Sequence, residues 1–259
     1  MRSKSIVSRI KYIQQYLNVN ADGIIGADTL TAISNKLFEN ADENKLWSLT
    51  ISRAGRDQLM ASEITSLTHY QRFLQSPVWP GGGSGITIGI GYDLGYHRGS
   101  QIQQDWACIV SDKDIQALVS VCGLTGKQAD KALKSVSGVE IPYAAASQVF
   151  CESSLPRYAA RTKKVYPGVE LLLPDAQAAI LSLVYNRGTA MSGVKRKEMA
   201  AIKPLVKQKD YSAIADEIIS MKRLWIGSDL DSLLKRRDDE ADLVRYPSSK
   251  YQSADLIRV

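Results

Sequence analysis

The sequence has few of the residues that build metal and redox centres. Its 259 residues include only two histidines and three cysteines, and no CxxC or HExxH spacing occurs. Structural zinc sites and thiol-redox centres depend on such spacings, so we expect no metal and no cofactor. Cys108, Cys122 and Cys151 are odd in number, and we interpret them as partly buried free thiols.

Long apolar runs are also missing. No stretch approaches the length of a transmembrane helix, so we expect no integral membrane segment. The N-terminal MRSKSIVSRIKYIQQYL lacks the apolar core and the cleavage site of a signal peptide, which predicts synthesis in the cytoplasm without an export signal. The net charge of +6 favours anionic partners such as nucleic acid, acidic wall polymers or a membrane surface, but no arginine-rich tract concentrates it.

Helical periodicity dominates the chain and predicts a mainly α fold. Residues 6–38 read as a helix, a tight loop and a second helix, and the polar residues that follow read as a linker. The rest reads as a larger helical domain with one small β region. We therefore expect a small N-terminal helical module at 1–39, a linker at 40–50 and the larger domain at 51–259.

The β region, residues 85–93, reads GITIGIGYD and has two unlike faces. Isoleucines and a tyrosine alternate on one face, while Thr87 and Asp93 are the only polar side chains on the other, among glycines. Glycine inside a strand weakens it and often marks a bend or the close approach of a ligand. We therefore expect the bare face to line a cleft.

Glu63 interrupts the apolar stripe of a predicted helix over residues 56–75. It follows Met60 by three residues and precedes Leu67 by four, which is helical spacing. Burial disfavours the ionised form and raises the pKa of a carboxyl, as a general acid near neutral pH requires. The alternative is a structural ion pair, with Arg72 or with an arginine near the C-terminus.

These polar residues match the needs of glycoside hydrolysis, in which an acid protonates the leaving oxygen and a second group places water. Glu63 is the candidate acid, and Thr87 and Asp93 are the candidates for water placement. Six residues of straight strand span about 20 Å. Both could serve one water only if the chain folds back at its glycines; otherwise Thr87 is an ordinary β-former.

Glu63 followed by PGGGSGITIGIGYDLG resembles the phage-type lysozymes, both the T-even phage enzyme and, more closely, the pesticin-like branch. In that branch a Glu, a Thr and an Asp six residues after the Thr form the active centre, which implies the same roles for Glu63, Thr87 and Asp93. LLLPDAQAAILSLVYNRG and DSLLKRRDDEADLVR resemble two further family helices, although Asp231 and Ser232 replace a usual glycine. The resemblance spans about residues 53–247.

The resemblance implies a lysozyme-like α+β fold with the β region forming the cleft. It also implies an N-acetylmuramidase, a glycosidase that cleaves the β-1,4 bond between N-acetylmuramic acid and N-acetylglucosamine with inversion. Inversion predicts a carboxyl separation of about 6.5–9.5 Å between Glu63 and Asp93. Tyr92, Asn186 and Arg187 are candidate substrate-binding residues. The alternative for the last two is a helix C-cap and an ion pair with Glu63.

The N-terminal segment IKYIQQYLNVNADGIIGADTLTAI is similar to the three-helix peptidoglycan-binding module with its L-Q-x-x-L…D-G-x-x-G-x-x-T pattern. The residues that we assign to this pattern are Gln15, Leu17, Asp22, Gly23, Gly26 and Thr29. From the residues alone, the glycines indicate only a tight turn, and Asp28 or Thr29 could cap a helix.

The expected partner is the glycan strand of peptidoglycan, bound by a monomer that reaches the wall through a holin, a secretion apparatus or lysis. Host lysis as a phage endolysin is the first hypothesis. A secreted antibacterial effector or bacteriocin-like toxin and a non-catalytic wall-binding protein are the alternatives. A nucleic-acid binder is disfavoured, because no recognition helix or basic-aromatic strand is present.

Overall fold

Helices make up most of the structure, as the sequence predicted. The structure, a computed structural model, describes residues 6–26, 29, 32–33, 47–228 and 230–259. These residues form helices and a few short antiparallel strands. The chain divides into two compact units, residues 1–47 and 48–259. None of the helices in these described ranges is long and apolar enough to cross a membrane.

The first unit contains helix α1 (Ile6–Tyr16). The predicted second helix and residues 40–46 of the predicted linker lie outside the described residues, apart from 29, 32 and 33. The end of the predicted linker belongs to the second unit. The backbone amides of Ser48 and Leu49 donate to the carbonyl of Val259 at 2.7 and 2.8 Å.

The second unit begins and ends in a strand pair, β1 (Thr50–Ser52) with β4 (Leu256–Arg258), and contains the hairpin β2 (Thr87–Ile88) and β3 (Tyr92–Asp93). Its longer helices are α2 (Arg53–Ile64), α3 (Gly99–Trp106), α4 (Asp112–Ser120), α5 (Gly126–Ala132), α6 (Tyr143–Val149), α7 (Leu155–Val165), α8 (Pro174–Arg187), α9 (Lys197–Gln208), α10 (Tyr211–Ser220) and α11 (Asp231–Arg245).

Helix α8 is the centre of this unit. Pro174 occupies its first turn, where the missing amide costs nothing, and Gly188 ends it with a φ of 72°. Every residue from 175 to 184 is buried, so the helix has no solvent face for most of its length. It packs against α2, α7, α11 and β1, and thereby fixes α2 and α11 relative to one another.

The predicted helix over residues 56–75 is interrupted just after Glu63. Thr65 has a φ of 65° and a ψ of −56°, and the amide of Ser66 donates to the carbonyl of Ile64 at 2.7 Å. A β-branched residue rarely adopts positive φ, so this γ-turn is strained. The Ser66 hydroxyl then accepts from the amide of His69 and starts a new helical turn. Glu63 consequently lies in the last turn of α2.

Residues 85–93 form a hairpin and not the single strand that the sequence suggested. Thr87 lies opposite Asp93, and Ile88 lies opposite Tyr92. The reversal uses two glycines in the left-handed region, Gly89 with a φ of 57° and Gly91 with a φ of 67°. The predicted apolar face is correct, since all four of its side chains are at most 2 % exposed: Ile86, Ile88, Ile90 and Tyr92.

Gly91 is also a point of close approach. A Cβ atom at this position would lie 3.0 Å from the hydroxyl oxygen of Tyr185 and 3.2 Å from Oε2 of Glu63. Gly123 provides a comparison, because its φ of 74° is similar but no heavy atom beyond its chain neighbours lies within 4 Å of the corresponding Cβ.

We expect Gly91→Ala to lower the free energy of unfolding more than Gly123→Ala does. Positive φ costs an alanine about 1–2 kcal/mol at either site, and crowding adds a penalty of about 1 kcal/mol or more at Gly91 alone. Urea unfolding of the two variants measures the difference. Equal losses would show that Tyr185 and Glu63 do not need the space above Gly91.

Candidate active site

Glu63 is held by an arginine from the other end of the chain. Its side chain is 18 % exposed, and its Oε1 accepts from Nη1 of Arg236 at 2.7 Å. The ion pair with an arginine near the C-terminus, which the sequence left open, is therefore present. Arg72 does not contact Glu63 but lies over the ring of Phe73, 5.1 Å from its centroid.

Arg236 is in turn fixed by buried partners. Its Nε donates to Glu240 Oε1 at 3.1 Å, and its Nη2 donates to the hydroxyl of Ser182 at 3.0 Å. Glu240 is fully buried and also accepts from Arg237 at 2.8 Å. Burial lowers the pKa of Arg236, but the carboxylates of Glu63 and Glu240 outweigh it and raise that pKa. The arginine therefore stays charged and orients Glu63.

The second oxygen of Glu63 faces the hairpin. Oε2 lies 3.2 Å from the position that a Cβ atom on Gly91 would take, and no hydrogen-bond donor among the described residues reaches it. Tyr185, beside it, donates its hydroxyl hydrogen to the carbonyl of Ile90 at 2.8 Å. Burial and the Glu63 carboxylate raise the pKa of Tyr185, so the phenol keeps its proton. One oxygen of Glu63 is thus occupied and the other is open.

The hairpin brings Thr87 and Asp93 together. Directly opposed residues of an antiparallel pair have Cβ atoms about 4.5–5.5 Å apart, instead of the roughly 20 Å of a straight strand. Asp93 Oδ1 accepts from the amide of Gly95 at 2.9 Å, and Oδ2 accepts from the amide of Gly85 at 3.1 Å. Each oxygen retains a lone pair for a further partner. Burial raises the pKa of Asp93, although both backbone bonds oppose the shift.

His97 forms a hydrogen bond with the backbone of Asp93. Its Nδ1 lies 2.7 Å from the carbonyl oxygen of Asp93, and its Nε2 lies 3.2 Å from Nη1 of Arg157. A carbonyl only accepts and a guanidinium only donates, so the proton belongs on Nδ1 and the ring is neutral. Burial lowers the pKa of His97, which favours the same neutral state.

A cavity of about 330 Å³ lies beside Asp93 and His97. Its lining residues are Gly91, Tyr92, Asp93, Tyr96, His97, Ser154, Tyr158, Arg161 and Tyr185. Glu63 lies against two of them, Gly91 and Tyr185. A second cavity, of about 480 Å³, shares Tyr158 and Arg161 with the first. Because the two cavities share these two residues, we refer to them together as the groove.

Tyr92, a predicted substrate-binding residue, is among the residues that line this cavity. Its ring is 2 % exposed and stacks on His97 with centroids 4.0 Å apart. Its hydroxyl donates to Oδ2 of Asp105 at 2.7 Å, and Arg157 holds both oxygens of that aspartate. The phenol is therefore unavailable to a ligand as a donor. Tyr92 forms the floor of the cavity and supports the hairpin.

Neither Asn186 nor Arg187 forms a hydrogen bond or salt bridge with Glu63, whose partner is Arg236. Asn186 is exposed in the last turn of α8. The guanidinium of Arg187 lies 5.0 Å from the ring centroid of Trp225 and donates to the carbonyl of Lys195. Burial and the nearby arginines Arg196 and Arg237 lower the pKa of Arg187 to about 10. Arg236, and not Arg187, is therefore the arginine that pairs with Glu63.

In the first unit, the residue that organises the turn is Gln14 and not Gln15. Gln14 is 1 % exposed, and its Nε2 donates to Asp22 Oδ1 at 2.8 Å and to Thr29 Oγ1 at 3.0 Å. Its Oε1 accepts from the amide of Gly23 at 2.8 Å. Gln15 is exposed, Leu17 is half-buried and Gly26 is exposed. The buried residues of the motif therefore hold the turn together.

Sequence reasoning missed several side chains of the site. Arg236 stood within the quoted KRRDDE motif, yet its contact with Glu63 spans 173 residues of sequence. Tyr185 is next to Asn186, which the sequence predicted to bind substrate. Because α8 is buried on all sides from residue 175 to 184, helical spacing could not show which residue faces the hairpin. His97 and Tyr96 follow Asp93 closely, and only the turn after β3 places them beside it.

A family model described as a domain of unknown function, DUF8812, matches residues 48–166. That range includes Glu63, the hairpin and Asp93, and it ends before α8 and α11. A search against curated proteins finds no match.

Proposed function

We propose that this chain is a peptidoglycan hydrolase of the lysozyme-like, N-acetylmuramidase type, and that a phage uses it to lyse its host. The observation that carries the proposal is the position of Glu63. One carboxylate oxygen is fixed by Arg236, and the other faces a glycine of the hairpin that holds Thr87 opposite Asp93. Two carboxyls of different surroundings beside one groove suit acid and base roles in glycoside cleavage.

Glu63 is the proposed general acid. Because Arg236 occupies Oε1, the transferable proton is placed on Oε2, the oxygen that faces Gly91. The missing side chain of Gly91 leaves room for a glycosidic oxygen to approach Oε2. After bond cleavage Glu63 becomes a carboxylate, and the guanidinium of Arg236 stabilises that charge.

Asp93, assisted by Thr87, is the proposed site of water activation. The amides of Gly85 and Gly95 fix the direction of the carboxylate and leave one lone pair on each oxygen. A water between Asp93 and the opposed Thr87 hydroxyl would lose its proton to Asp93 as it attacks the sugar. We propose inversion, which requires the water and Glu63 to act on opposite faces of the ring.

The second cavity favours an anionic, substituted glycan. Arg161, Lys164 and Lys203 line it, and no acidic residue does. No salt bridge to any of the three occurs within the part of the chain that the structure describes. Peptide stems on muramic acid carry carboxylates, which would balance this charge. The groove thus suits peptidoglycan better than a neutral polysaccharide.

The first unit is a proposed wall-binding module. The Gln14 contacts stiffen the turn, and two apolar side chains beyond it stay in solvent, Ile24 at 67 % and Ile25 at 51 % exposed. Exposed apolar residues on a rigid loop are typical of a binding surface. We therefore place wall contact on Ile24 and Ile25 and assign a supporting role to Gln14, Asp22 and Gly23.

The first prediction concerns Glu63→Gln, which preserves the shape of the side chain and removes the acid. We expect it to slow the release of soluble muropeptides from purified sacculi by about 10²–10⁴-fold, the contribution of general acid catalysis. The matched control is Glu140→Gln, at an exposed residue outside both cavities, and it should release muropeptides like the unmodified protein.

Two results would contradict this assignment. Equal release by the unmodified protein and Glu63→Gln would remove Glu63 from the chemistry. Binding of sacculi without release by any of the proteins would make the chain a non-catalytic wall-binding protein. A pull-down of sacculi, run beside the release assay, separates these outcomes.

The proposed role of Asp93 as a base predicts how kcat/KM changes on the acid side of the pH profile. A base acts as the carboxylate, so kcat/KM should fall as the pH drops through the pKa of Asp93. Burial raises that pKa above the ordinary 3.8, so the limb should lie above this value. Asp93→Asn should abolish release at every pH. Full activity of Asp93→Asn, or a profile that stays flat below 3.8, would rule out this base.

The charge of the second cavity, which Arg161, Lys164 and Lys203 line, predicts a salt-dependent contribution to catalysis. Lys203→Gln should lower kcat/KM on sacculi by about two- to fivefold at low ionic strength, as expected for an exposed charge, and the loss should shrink as salt screens it. Lys207→Gln on the same helix removes an equal charge outside the cavity. Identical losses in both variants would show that net charge alone, and not this cavity, attracts the substrate.

A further inference from the structure

Tyr96 is an exposed aromatic residue at the edge of the Asp93 cavity. It lines that cavity, yet it is 70 % exposed, whereas the neighbouring Tyr92 is 2 % exposed. A large ring in solvent at the rim of a groove is free to take a ligand against its face. The roles proposed for Glu63, Thr87 and Asp93 do not use it.

Tyr96 is exposed but held in place. Its hydroxyl donates to the carbonyl of Gly83 at 3.0 Å, which joins it to the glycine-rich loop before β2. Its backbone belongs to a 3₁₀ turn, residues 94–96, that Asp93 itself caps through the amide of Gly95 at 2.9 Å. The ring is therefore ordered before a ligand arrives, which lowers the entropy lost on binding.

We propose that Tyr96 is a stacking platform for a pyranose ring of the glycan next to the bond that is cleaved. The inference rests on the proposed function and names a specificity-determining residue for it. The C–H face of a pyranose is apolar and complements the electron-rich face of an aromatic ring. Ser154 and Arg161, in the same lining, supply polar partners for the hydroxyl rim of that sugar.

The position of Tyr96 decides which of the two cavities a ligand must occupy to contact it. Tyr158 and Arg161 line both cavities, whereas Tyr96 lines only the cavity that contains Asp93. A glycan that fills both cavities therefore reaches Tyr96 beyond the shared wall. A fragment that occupies only the second cavity does not reach Tyr96, whereas a strand that fills both cavities does.

The principal test is Tyr96→Leu, which keeps an apolar side chain and removes the aromatic face. Placed in the Glu63→Gln background, it should weaken binding of peptide-bearing glycan strands released from sacculi about tenfold, the loss expected for one large buried apolar contact. In the active protein it should raise KM by a similar factor with little change in kcat. Thermal unfolding checks that each variant is folded.

Two further variants separate stacking from other effects. Tyr96→Phe keeps the ring and loses only the bond to Gly83, so it should recover most of the affinity lost in Tyr96→Leu. Tyr246→Leu is the matched control, because Tyr246 is 72 % exposed and lies outside both cavities. It should bind and cleave like the parent protein.

The outcomes distinguish this inference from the proposed function. If the unmodified protein cleaves glycan but Tyr96→Leu and Tyr246→Leu have the same Kd and KM, Tyr96 is no platform and the muramidase proposal survives. An equal loss in Tyr96→Phe and Tyr96→Leu would assign the effect to the Gly83 bond and overturn stacking. If the unmodified protein neither binds nor cleaves glycan strands, both proposals fall.

Discussion

The contact between Arg236 and Glu63 is the interaction on which the rest of the site depends. It joins α2 to α11 at 2.7 Å, and Arg236 is only 5 % exposed. A buried charge that loses its partner costs about 3–5 kcal/mol, so the two helices are strongly held in the one register that pairs them. Ser182 on α8 accepts from Arg236 and donates to Glu240, which ties the pair to the most buried helix of the unit. Stability and orientation of Glu63 thus come from the same contacts.

The hairpin is the second constraint, and it meets the first at Gly91. Burial of Ile86, Ile88 and Ile90 anchors it to the core, and its two left-handed glycines turn the chain back so that Asp93 returns to Thr87. The absence of a side chain at Gly91 lets Tyr185 and Glu63 approach the turn. The same sequence feature, glycine on alternate positions, therefore makes the bend and clears space for the open oxygen of Glu63.

The sequence predicted patterns between neighbouring residues well, but it did not predict contacts between residues that are distant in the chain. Alternation identified the buried face of residues 85–93, because it is a local pattern. Helical spacing placed Glu63 beside the buried Met60, but the helix ends at Ile64 and Leu67 is exposed. The reversal at Gly89 and Gly91 was only one of two geometries that glycine allows. Arg72, Arg187 and an unspecified arginine near the C-terminus were the predicted partners for Glu63, and the choice depends on tertiary packing, since Arg187 lies over Trp225. In the first unit, the motif glutamine was assigned to Gln15, but its neighbour Gln14 makes the buried hydrogen bonds.

The measurement that tests the central claim most directly is the identity of the new chain ends released from purified sacculi. Borohydride reduction of the soluble products, followed by mass spectrometry, should yield muramitol and therefore new reducing ends on N-acetylmuramic acid. Reducing ends on N-acetylglucosamine, or new amino groups from peptide cleavage without new reducing ends, would contradict the assignment of this site as a muramidase.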